Sequence, residues 1–451
     1  MHIIMSQGSS PILLLPVAII CLLAVIPAGA MDWGMTGLDS GHTSFSQDTV
    51  LPPLAVSWTT DNGFMNSYPP PPVIVSGSIV YTREGVINGS GFESWISARN
   101  TGNGSLIWRF SGSSPAVAYQ DHLFAWNNES VICLKNGREV WRQPVTSVNS
   151  PILYNDLLIT GEVTAFHYQN GSVIWNYHPQ LPVQDARHIR IDSFLPVTAG
   201  NNTVILAINS MESEQIDTRS GSDTSTAGDS RIVWSYKSSP DELSGTLIAL
   251  DAASGKERWI QKIPILIGSA PVISGDRVFI GGNGSVQAFS LTDGSVVWMA
   301  SLPGYSRTLA ADPDFLIVDD QFGQNITALR LEDGRAVWVY QNPGRSMAMS
   351  ISGQILYIVG TTPSSGLVAV DVKTGTQIWE HEMPADWINP SQPVISGNMI
   401  YVTTMTGKTY AFSPIDTPQD LHSRPNPLPS AGVVLSIGAI ICMHAVTRRR
   451  L

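Results

Sequence analysis

The charged residues best placed for binding chemistry lie together in the segment DARHIRID, which contains Arg187, His188, Arg190 and Asp192. This segment lies in a long loop, and the acidic segment that follows lies in a second one; long loops in a compact domain are usually functional or disordered. An acidic segment, Glu212–Asp241, follows in the chain and would supply the opposite charge. We therefore predict that these four residues bind a partner, and that the two segments lie side by side. The alternative is a solvated insertion with no ligand.

Motifs that would indicate catalysis are missing from the sequence. It contains no Cys-x-x-Cys-His haem site, no His-Glu-x-x-His metal site, no P-loop and no Gly-x-Ser-x-Gly nucleophile, and its 9 histidines lack metal-ligand spacing. The formal net charge of −11 argues against a nucleic-acid partner, which needs a basic face. These observations favour a non-catalytic binding or scaffold protein without a metal or cofactor.

The elements that must position the charged segment are repeats. In AFSLTDGSVVW, an alanine (Ala288), a turn glycine (Gly294) and a tryptophan (Trp298) have a spacing that recurs along the chain. The later copies follow one another at about 40 residues, the length of one propeller blade. The tryptophans of this frame are Trp58, Trp108, Trp141, Trp175, Trp259, Trp298, Trp338 and Trp379. The alanines are Ala98, Ala165, Ala249, Ala288, Ala328, Ala369 and Ala411, with Cys133 at the equivalent place in a shortened copy. The glycines are Gly104, Gly137, Gly171, Gly255, Gly294, Gly334 and Gly375.

Each copy has the pattern of a strand, a tight turn and a second strand. Asn-Gly or Asp-Gly at the turn supplies the positive φ that a short hairpin needs. Alanine on the first strand leaves room for a large ring, and tryptophan on the second strand can fill it. Burial of one tryptophan removes roughly 150–250 Å² from water, an upper-bound gain of about 4–6 kcal/mol. The repeat therefore predicts structural docking positions between neighbouring sheets.

Two incomplete copies at the ends of the pattern predict a closed ring. Trp58 lacks an alanine-glycine half, and Ala411 lacks a glycine-tryptophan half. Pairing of Ala55–Thr60 with Lys408–Ser413 would complete one sheet and remove its exposed edges. Together with eight inner-strand segments, this predicts an all-β fold, an eight-bladed β-propeller over residues 54–415. The inner segments begin near Pro72, Pro115, Pro151, Pro196, Pro271, Ala310, Ser350 and Pro393.

The frame, clearest in Ala249–Trp259 and Ala369–Trp379, resembles the repeat of pyrroloquinoline-quinone (PQQ)-type β-propellers. The resemblance covers roughly Trp58 to Ser413. It implies that each tryptophan docks against the alanine of its own motif and the glycine of a neighbouring one. The same fold serves quinoprotein dehydrogenases and non-catalytic scaffolds. The dehydrogenases share a vicinal cysteine pair over the cofactor, and this chain has no Cys-Cys. We therefore expect no cofactor, with a PQQ-dependent oxidoreductase as the alternative.

The two ends of the chain predict a surface protein. Residues 1–30 are typical of a secretory signal, with an uncleaved anchor as the alternative, and residues 31–53 are a lead-in. After the propeller come a Pro-rich stalk (416–430), an apolar helix (431–447) and a basic tail (448–451). The arginines of the tail favour the cytoplasmic side. The expected protein is anchored in the cell membrane by one helix, with the propeller outside, and the helix is either a plain anchor or a sorting signal. Its expected partner is a protein or a surface glycan.

Two further features bear on the outer surface of the propeller. Residues 210–245 form an insertion in blade four, within which RIVWSYK could be an added strand. Candidate glycosylation sites, about half of which are equally explained as turn sequences, stand at Asn88, Asn103, Asn128, Asn170, Asn201, Asn283 and Asn325.

Overall fold

A computed structural model describes residues 32–63, 73–88, 91–127, 129–145, 151–161, 163–179, 188–214, 243–320, 325–342, 345–361, 366–384 and 390–415. All regular structure in these ranges is β-strand. The predicted signal segment, stalk, apolar helix and basic tail lie outside the described residues. Within the described ranges, no helix is long and apolar enough to span a membrane.

The strands are short and follow one another closely, as the repeated strand-turn-strand pattern predicts. In the first half of the chain they are β1 (Phe45–Ser46), β2 (Leu54–Asp61), β3 (Ile74–Ser76), β4 (Ile79–Asn88), β5 (Gly91–Asn100), β6 (Leu106–Ser111), β7 (Ser114–Tyr119), β8 (His122–Trp126), β9 (Ser130–Lys135), β10 (Arg138–Pro144), β11 (Ile152–Tyr154), β12 (Leu157–Ile159), β13 (Thr164–His167), β14 (Val173–Asn176), β15 (His188–Phe194), β16 (Thr198–Gly200) and β17 (Thr203–Glu214). In the second half they are β18 (Leu243–Asp251), β19 (Glu257–Ile263), β20 (Val272–Ser274), β21 (Arg277–Ser290), β22 (Val296–Ala311), β23 (Phe315–Asp320), β24 (Asn325–Arg330), β25 (Ala336–Gln341), β26 (Arg345–Ser352), β27 (Ile355–Thr361), β28 (Gly366–Asp371), β29 (Gln377–Glu382), β30 (Val394–Ser396), β31 (Met399–Thr403) and β32 (Lys408–Pro414).

Hydrogen bonding groups these strands into seven antiparallel sheets, to one of which β1 adds in parallel. The sheets are β3-β4-β5-β6, β7-β8-β9-β10, β11-β12-β13-β14, β15-β17-β18-β19 with β16 on β17, β20 to β25 in chain order, β1-β26-β27-β28-β29, and β30-β31-β32-β2. The buried apolar side chains form clusters, most of which join two successive sheets.

The innermost strands contact one another in a cyclic order, so the sheets are arranged around an axis as in a β-propeller. The order of contact is β3, β7, β11, β16, β20, β22, β26, β30 and back to β3. The all-β propeller predicted from the repeats is therefore present.

The predicted pairing between the first and last strands of the propeller sequence is confirmed. Strand β2 pairs with β32 in antiparallel register, and Trp58 stands opposite Ala411. The two half-copies of the frame thus complete each other in one sheet, whose inner strands come from the end of the propeller sequence and whose outer strand comes from its start.

The described part of the structure has seven sheets where eight blades were predicted, because two of the predicted blades share a strand. The first part of β22 pairs with β21 as far as Tyr305, and its last part, from Ser306 to Ala311, pairs with β23. No turn interrupts the chain between these parts, so hydrogen bonding continues through a six-stranded sheet.

Blade four also differs from the prediction, since its entering loop contains a strand. Strand β15 pairs with the extended end of β17, and β16 pairs with the start of β17. The inner position of this sheet is therefore filled by two short strands. Most of the predicted insertion, including RIVWSYK, lies outside the described residues.

Candidate functional site

The tryptophans of the frame lie between neighbouring sheets. Trp298 stands opposite Ala288 of its own sheet and is 8% exposed. Its ring packs on Gly334, where an added Cβ would lie 2.5 Å from Cε3 of the indole. Gly334 also has φ +71°, a conformation that side chains rarely adopt. The glycine is thus required twice, for the turn and for the close approach of the ring.

The same contact recurs around the propeller. The pairs of tryptophan and turn glycine in van der Waals reach are Trp58–Gly104, Trp108–Gly137, Trp141–Gly171, Trp175–Gly255, Trp259–Gly294, Trp298–Gly334 and Trp338–Gly375. Trp379 meets no turn glycine among the described residues, because β32 and β2 come from opposite ends of the chain and no turn joins them. Its ring instead stacks on His381 at 5.7 Å.

Most docking tryptophans also make a hydrogen bond that the sequence pattern did not predict. The indole N–H donates to the backbone carbonyl three residues before the turn glycine of the next unit. The pairs are Trp58–Thr101 (2.8 Å), Trp141–Tyr168 (2.9 Å), Trp175–Ala252 (2.9 Å), Trp259–Leu291 (3.0 Å), Trp298–Leu331 (2.9 Å) and Trp338–Val372 (2.7 Å). Each of these bonds satisfies an indole N–H that burial between two sheets removes from water.

Residues 32–50, here called the belt, run along the inner strands of the propeller and were predicted only as a lead-in. Their backbone carbonyls accept hydrogen bonds from the amides of six inner strands, at the end where each of these strands turns into the next. The bonds are Val75 N to Trp33 O (2.9 Å), Ala118 N to Gly34 O (2.6 Å), Ala199 N to Ser40 O (2.7 Å), Ile273 N to Gly41 O (2.8 Å), Ala311 N to Thr43 O (2.8 Å) and Ile351 N to Ser44 O (2.8 Å).

The belt is fixed by buried side chains at both ends. Trp33 and Val50 are fully buried, and the hydroxyl of Tyr357 donates to the carbonyl of Val50 at 2.7 Å. Gly397 N donates to the carboxylate of Asp48 at 2.8 Å. The sequence signal for this segment was weak, because its small polar residues show neither strand nor helix periodicity. Its apolar residues, among them Trp33, Leu38 and Val50, are scattered without a regular spacing.

His42, in the belt, is buried against the propeller and electrostatically unusual. Burial lowers its pKa to about 4, while the backbone of Pro271 acts in the opposite sense. Nearby Asp39 accepts hydrogen bonds from the backbone and hydroxyl of Thr43, and burial nevertheless raises its pKa. The belt therefore packs best when His42 is neutral.

We expect acid to weaken the fold through His42. Because its pKa is lower in the folded state than the ordinary 6.5, the unfolded chain binds a proton first as pH falls. The contribution of neutral His42 to the free energy of unfolding is complete above about pH 6.5. It is lost as the pH falls from about 6.5 to 4, and the loss is up to roughly 3 kcal/mol. The His42→Asn variant, whose side chain tolerates the positive φ at this position, should lose this slope. Unfolding free energies of both proteins across that range provide the test. Asp39 is common to both, so parallel profiles would contradict the prediction.

The residues predicted to bind a partner lie on β15, apart from Arg187, which is outside the described residues. In the register of β15 with β17, His188 stands opposite Glu214, Arg190 opposite Glu212 and Asp192 opposite Ser210. The basic segment and the start of the acidic segment are thus neighbours, as predicted, but as paired strands rather than as two loops.

The candidate glycosylation positions fall into two groups. The side-chain oxygens of Asn103 and Asn170 accept hydrogen bonds from Ser105 N and Ser172 N, and Asn201 has positive φ, so these three have turn roles. Asn88 ends β4, Asn283 is exposed on β21 and Asn325 begins β24. Asn128 lies outside the described residues.

Aliphatic side chains are exposed along the outermost strands of the sheets and along the first part of β22, which pairs with β21 alone; the sequence did not predict this feature. The residues, each 42–64% exposed, are Leu106, Ile107, Val140, Val173, Ile174, Ile260, Val296, Val297, Met299, Val337, Val339 and Ile378. Each of them is one or two positions from a docking tryptophan on the same strand. The tryptophan packs between neighbouring sheets, whereas these side chains face solvent. We call this surface the rim.

The cyclic sheets, the closing strand and the inter-sheet tryptophans define a β-propeller built from tryptophan-docking repeats. The chain belongs to the PQQ-like repeat family. The model of this family, described as outer membrane protein assembly factor BamB, matches residues 93–233, 226–308 and 243–450. No curated protein matches the chain in sequence.

Solved structures with the same fold differ widely in what their names describe. BamB from Moraxella catarrhalis is 13% identical, with a TM-score of 0.55, and the match covers 80% of this chain and 99% of BamB. A europium-containing methanol dehydrogenase is 11% identical, with a TM-score of 0.57, covering 85% and 98%. The computationally designed Ika8 protein is 11% identical, with a TM-score of 0.55, covering 78% and 99%. At these identities the likeness concerns the fold alone.

Proposed function

We propose that this protein is a non-catalytic binding protein or scaffold that holds a protein partner along the rim. The observation that carries the proposal is the exposed aliphatic side chains on the outermost strands. Scattered apolar residues are normal on a protein surface, but here they are concentrated on strand edges. Such edges present unpaired backbone groups and accept an added strand from a partner. The family model named for an assembly factor, BamB, is compatible with this role.

The rim is most apolar on the first part of β22, which pairs with β21 alone, and on the outermost strand β25. Val296, Val297 and Met299 are exposed on β22, and Met299 is 64% exposed. Val337 and Val339 repeat this arrangement on β25. An extended partner segment with apolar residues at alternate positions would match both the backbone edge and the spacing of these side chains.

The test is capture of partners by the full chain from the envelope of the cells that make it. The double variant Met299→Lys/Val339→Lys should lose most of the captured protein, because a charge must be desolvated to enter an apolar contact. The matched control is Val86→Lys, which changes a similarly exposed valine (49%) on β4, away from the rim. Equal capture by all three proteins would exclude the rim. Quinone-dependent dye reduction by the purified protein would support the oxidoreductase alternative instead.

The cysteines of this chain do not fit the oxidoreductase alternative. Cys21, Cys133 and Cys442 are all separated in sequence, so no vicinal pair can form. Cys133 is fully buried opposite Trp141, and burial raises its thiol pKa to about 12. A protonated, enclosed thiol is unreactive, and it is unsuited to a contact with a quinone.

We further propose eight repeat units, with the six-stranded sheet counted as two. Eight tryptophans of the frame and eight innermost strand positions support this number. The proposed location is the cell surface, with the propeller outside the cell, a single C-terminal anchor and glycans at Asn88, Asn128, Asn283 or Asn325. The apolar segments 11–30 and 431–447 and the basic tail support this placement.

A further inference from the structure

A cavity of about 540 Å³ lies between the sheets β3–β6 and β7–β10. It is at the end of the sheets where the chain passes from β6 to β7, and it shares no residue with the rim or the belt. Arg83, Ser94, Ser113, Ser114, Trp126 and Glu129 are among its lining residues. Its size is that of a small-molecule site.

The cavity exists because the residues that β4 places between these two sheets change along the strand from large and apolar to polar or small. Tyr81, opposite Ala98, belongs to the apolar cluster that joins the sheets. Two residues further on, the same face of β4 presents Arg83, and after it Gly85 stands opposite Ser94. Glycine and serine leave space where the preceding positions hold packed side chains. The apolar interface therefore opens into a polar chamber.

Three serine hydroxyls line the chamber, and that of Ser113 is buried without a hydrogen-bond partner among the described residues. Ser113 is 4% exposed, and its Oγ has no hydrogen-bond partner within the part of the chain that the structure describes. Such a buried hydroxyl is destabilising unless something bonds to it. Ser94 and Ser114 add further hydroxyls, each able to donate and to accept. A ligand rich in hydroxyl groups matches this lining.

The charges of the chamber are arranged by depth. Arg83 is half-buried, and desolvation lowers its pKa from the ordinary value, although a guanidinium remains charged. Glu129 is exposed among the lining residues. A planar guanidinium binds a carboxylate through two parallel hydrogen bonds. Glu129 would repel a ligand with several negative charges, and Trp126 supplies an apolar surface. The combination suits one carboxylate on an otherwise neutral, hydroxylated ring.

We propose that this cavity binds an acidic sugar unit, a hexuronate whose carboxylate faces Arg83 and whose hydroxyls bond to the serines. This site goes beyond the proposed rim, which would hold protein. Since the two surfaces share no residue, either can fail without affecting the other.

Calorimetric titration of the full chain with glucuronate and with glucose tests the proposal. We expect saturable binding of glucuronate, at least about tenfold tighter than glucose, because a charge-assisted hydrogen bond is worth more than a neutral one. Arg83→Gln should bring glucuronate binding down to that of glucose. Ser113→Ala should weaken both sugars. The matched control is Arg138→Gln, which removes an exposed guanidinium from β10 and should change nothing.

Three results would overturn the proposal. The first is absence of saturable glucuronate binding to the unaltered protein. The second is an unchanged preference for glucuronate in Arg83→Gln, with thermal unfolding showing that the variant is folded. The third is equally tight binding of a short peptide with a free carboxylate, which would assign a carboxylate site without sugar recognition. If Arg83→Gln does not fold, Ser113→Ala decides, and equal sugar affinities in that variant and the unaltered protein count against the site.

Discussion

Trp298→Ala is expected to lower the free energy of unfolding by about 3–5 kcal/mol, as truncation of large aromatic side chains in a core does. The ring is 8% exposed, packs on Gly334, and donates a hydrogen bond to Leu331 O at 2.9 Å. Its removal leaves a cavity between two units and takes away one of two donors to Leu331 O, which also accepts from Arg277 at 2.6 Å. Denaturant unfolding of the purified protein measures the change.

The neighbouring residue provides a control for this prediction. Val297 is on the same strand but 42% exposed, so Val297→Ala should change stability by less than about 0.5 kcal/mol. A loss in Trp298→Ala as small as in the control would show that the docking contact contributes little.

A double-mutant cycle with Gly334→Ala isolates the contact itself. The new methyl group would lie 2.5 Å from the Trp298 ring, on a residue with φ +71°. In the Trp298→Ala background the steric conflict disappears, and only the backbone cost of about 1–2 kcal/mol remains. The two substitutions should therefore be strongly non-additive, as expected for residues in contact. Additive effects would contradict docking of this ring on this glycine.

The sequence predicted the repeat architecture well because the repeat fixes local geometry. The positions of Gly334 and Trp298 are set by a turn and by the volume of one ring, and both requirements are visible in a short window. The pairing of Trp58 with Ala411 followed from the same rule, since each half-copy lacked what the other supplied. The continuation of β22 through two units was not predictable in this way. The chain stays extended through Pro303-Gly304-Tyr305, a sequence that is equally typical of a turn.

The surfaces that carry the proposed functions were harder to predict, because they depend on contacts between distant parts of the chain. The belt has no periodic pattern, and its hydrogen bonds use backbone carbonyls that no side chain identifies. The cavity at Arg83 depends on Gly85 and Ser94, which meet only after β4 pairs with β5. The charged residues around Arg190 could be recognised in the sequence. Their pairing in a sheet could not, because it depends on β17 extending as far as Glu214.

Removal of the belt is expected to have the largest effect of any change considered. In a chain that begins at residue 51, inner-strand amides such as Val75 N, Ala118 N and Ile351 N lose the carbonyls that accept their hydrogen bonds. These residues are buried, and each amide left without a partner costs about 1–3 kcal/mol. The loss of several such bonds, together with buried Trp33, approaches the whole stability of a typical domain, roughly 5–15 kcal/mol. We expect no cooperative unfolding transition in this chain, whereas a chain that begins at Asp32 should retain one.

Addition of the belt as a separate peptide tests whether its hydrogen bonds are the cause of this loss. Residues 32–50 added to the chain that begins at residue 51 should restore a cooperative thermal transition whose midpoint rises with the logarithm of peptide concentration, as for any ligand of the folded state. The same peptide with Gly34→Val should not, because a Cβ at this position would lie 2.5 Å from the carbonyl oxygen of Ala118. If the shortened chain already melts as the longer one does, the inner strands are satisfied without the belt. If both peptides restore the transition equally, the belt does not bind in the register described, since only close approach of Gly34 to β7 distinguishes them.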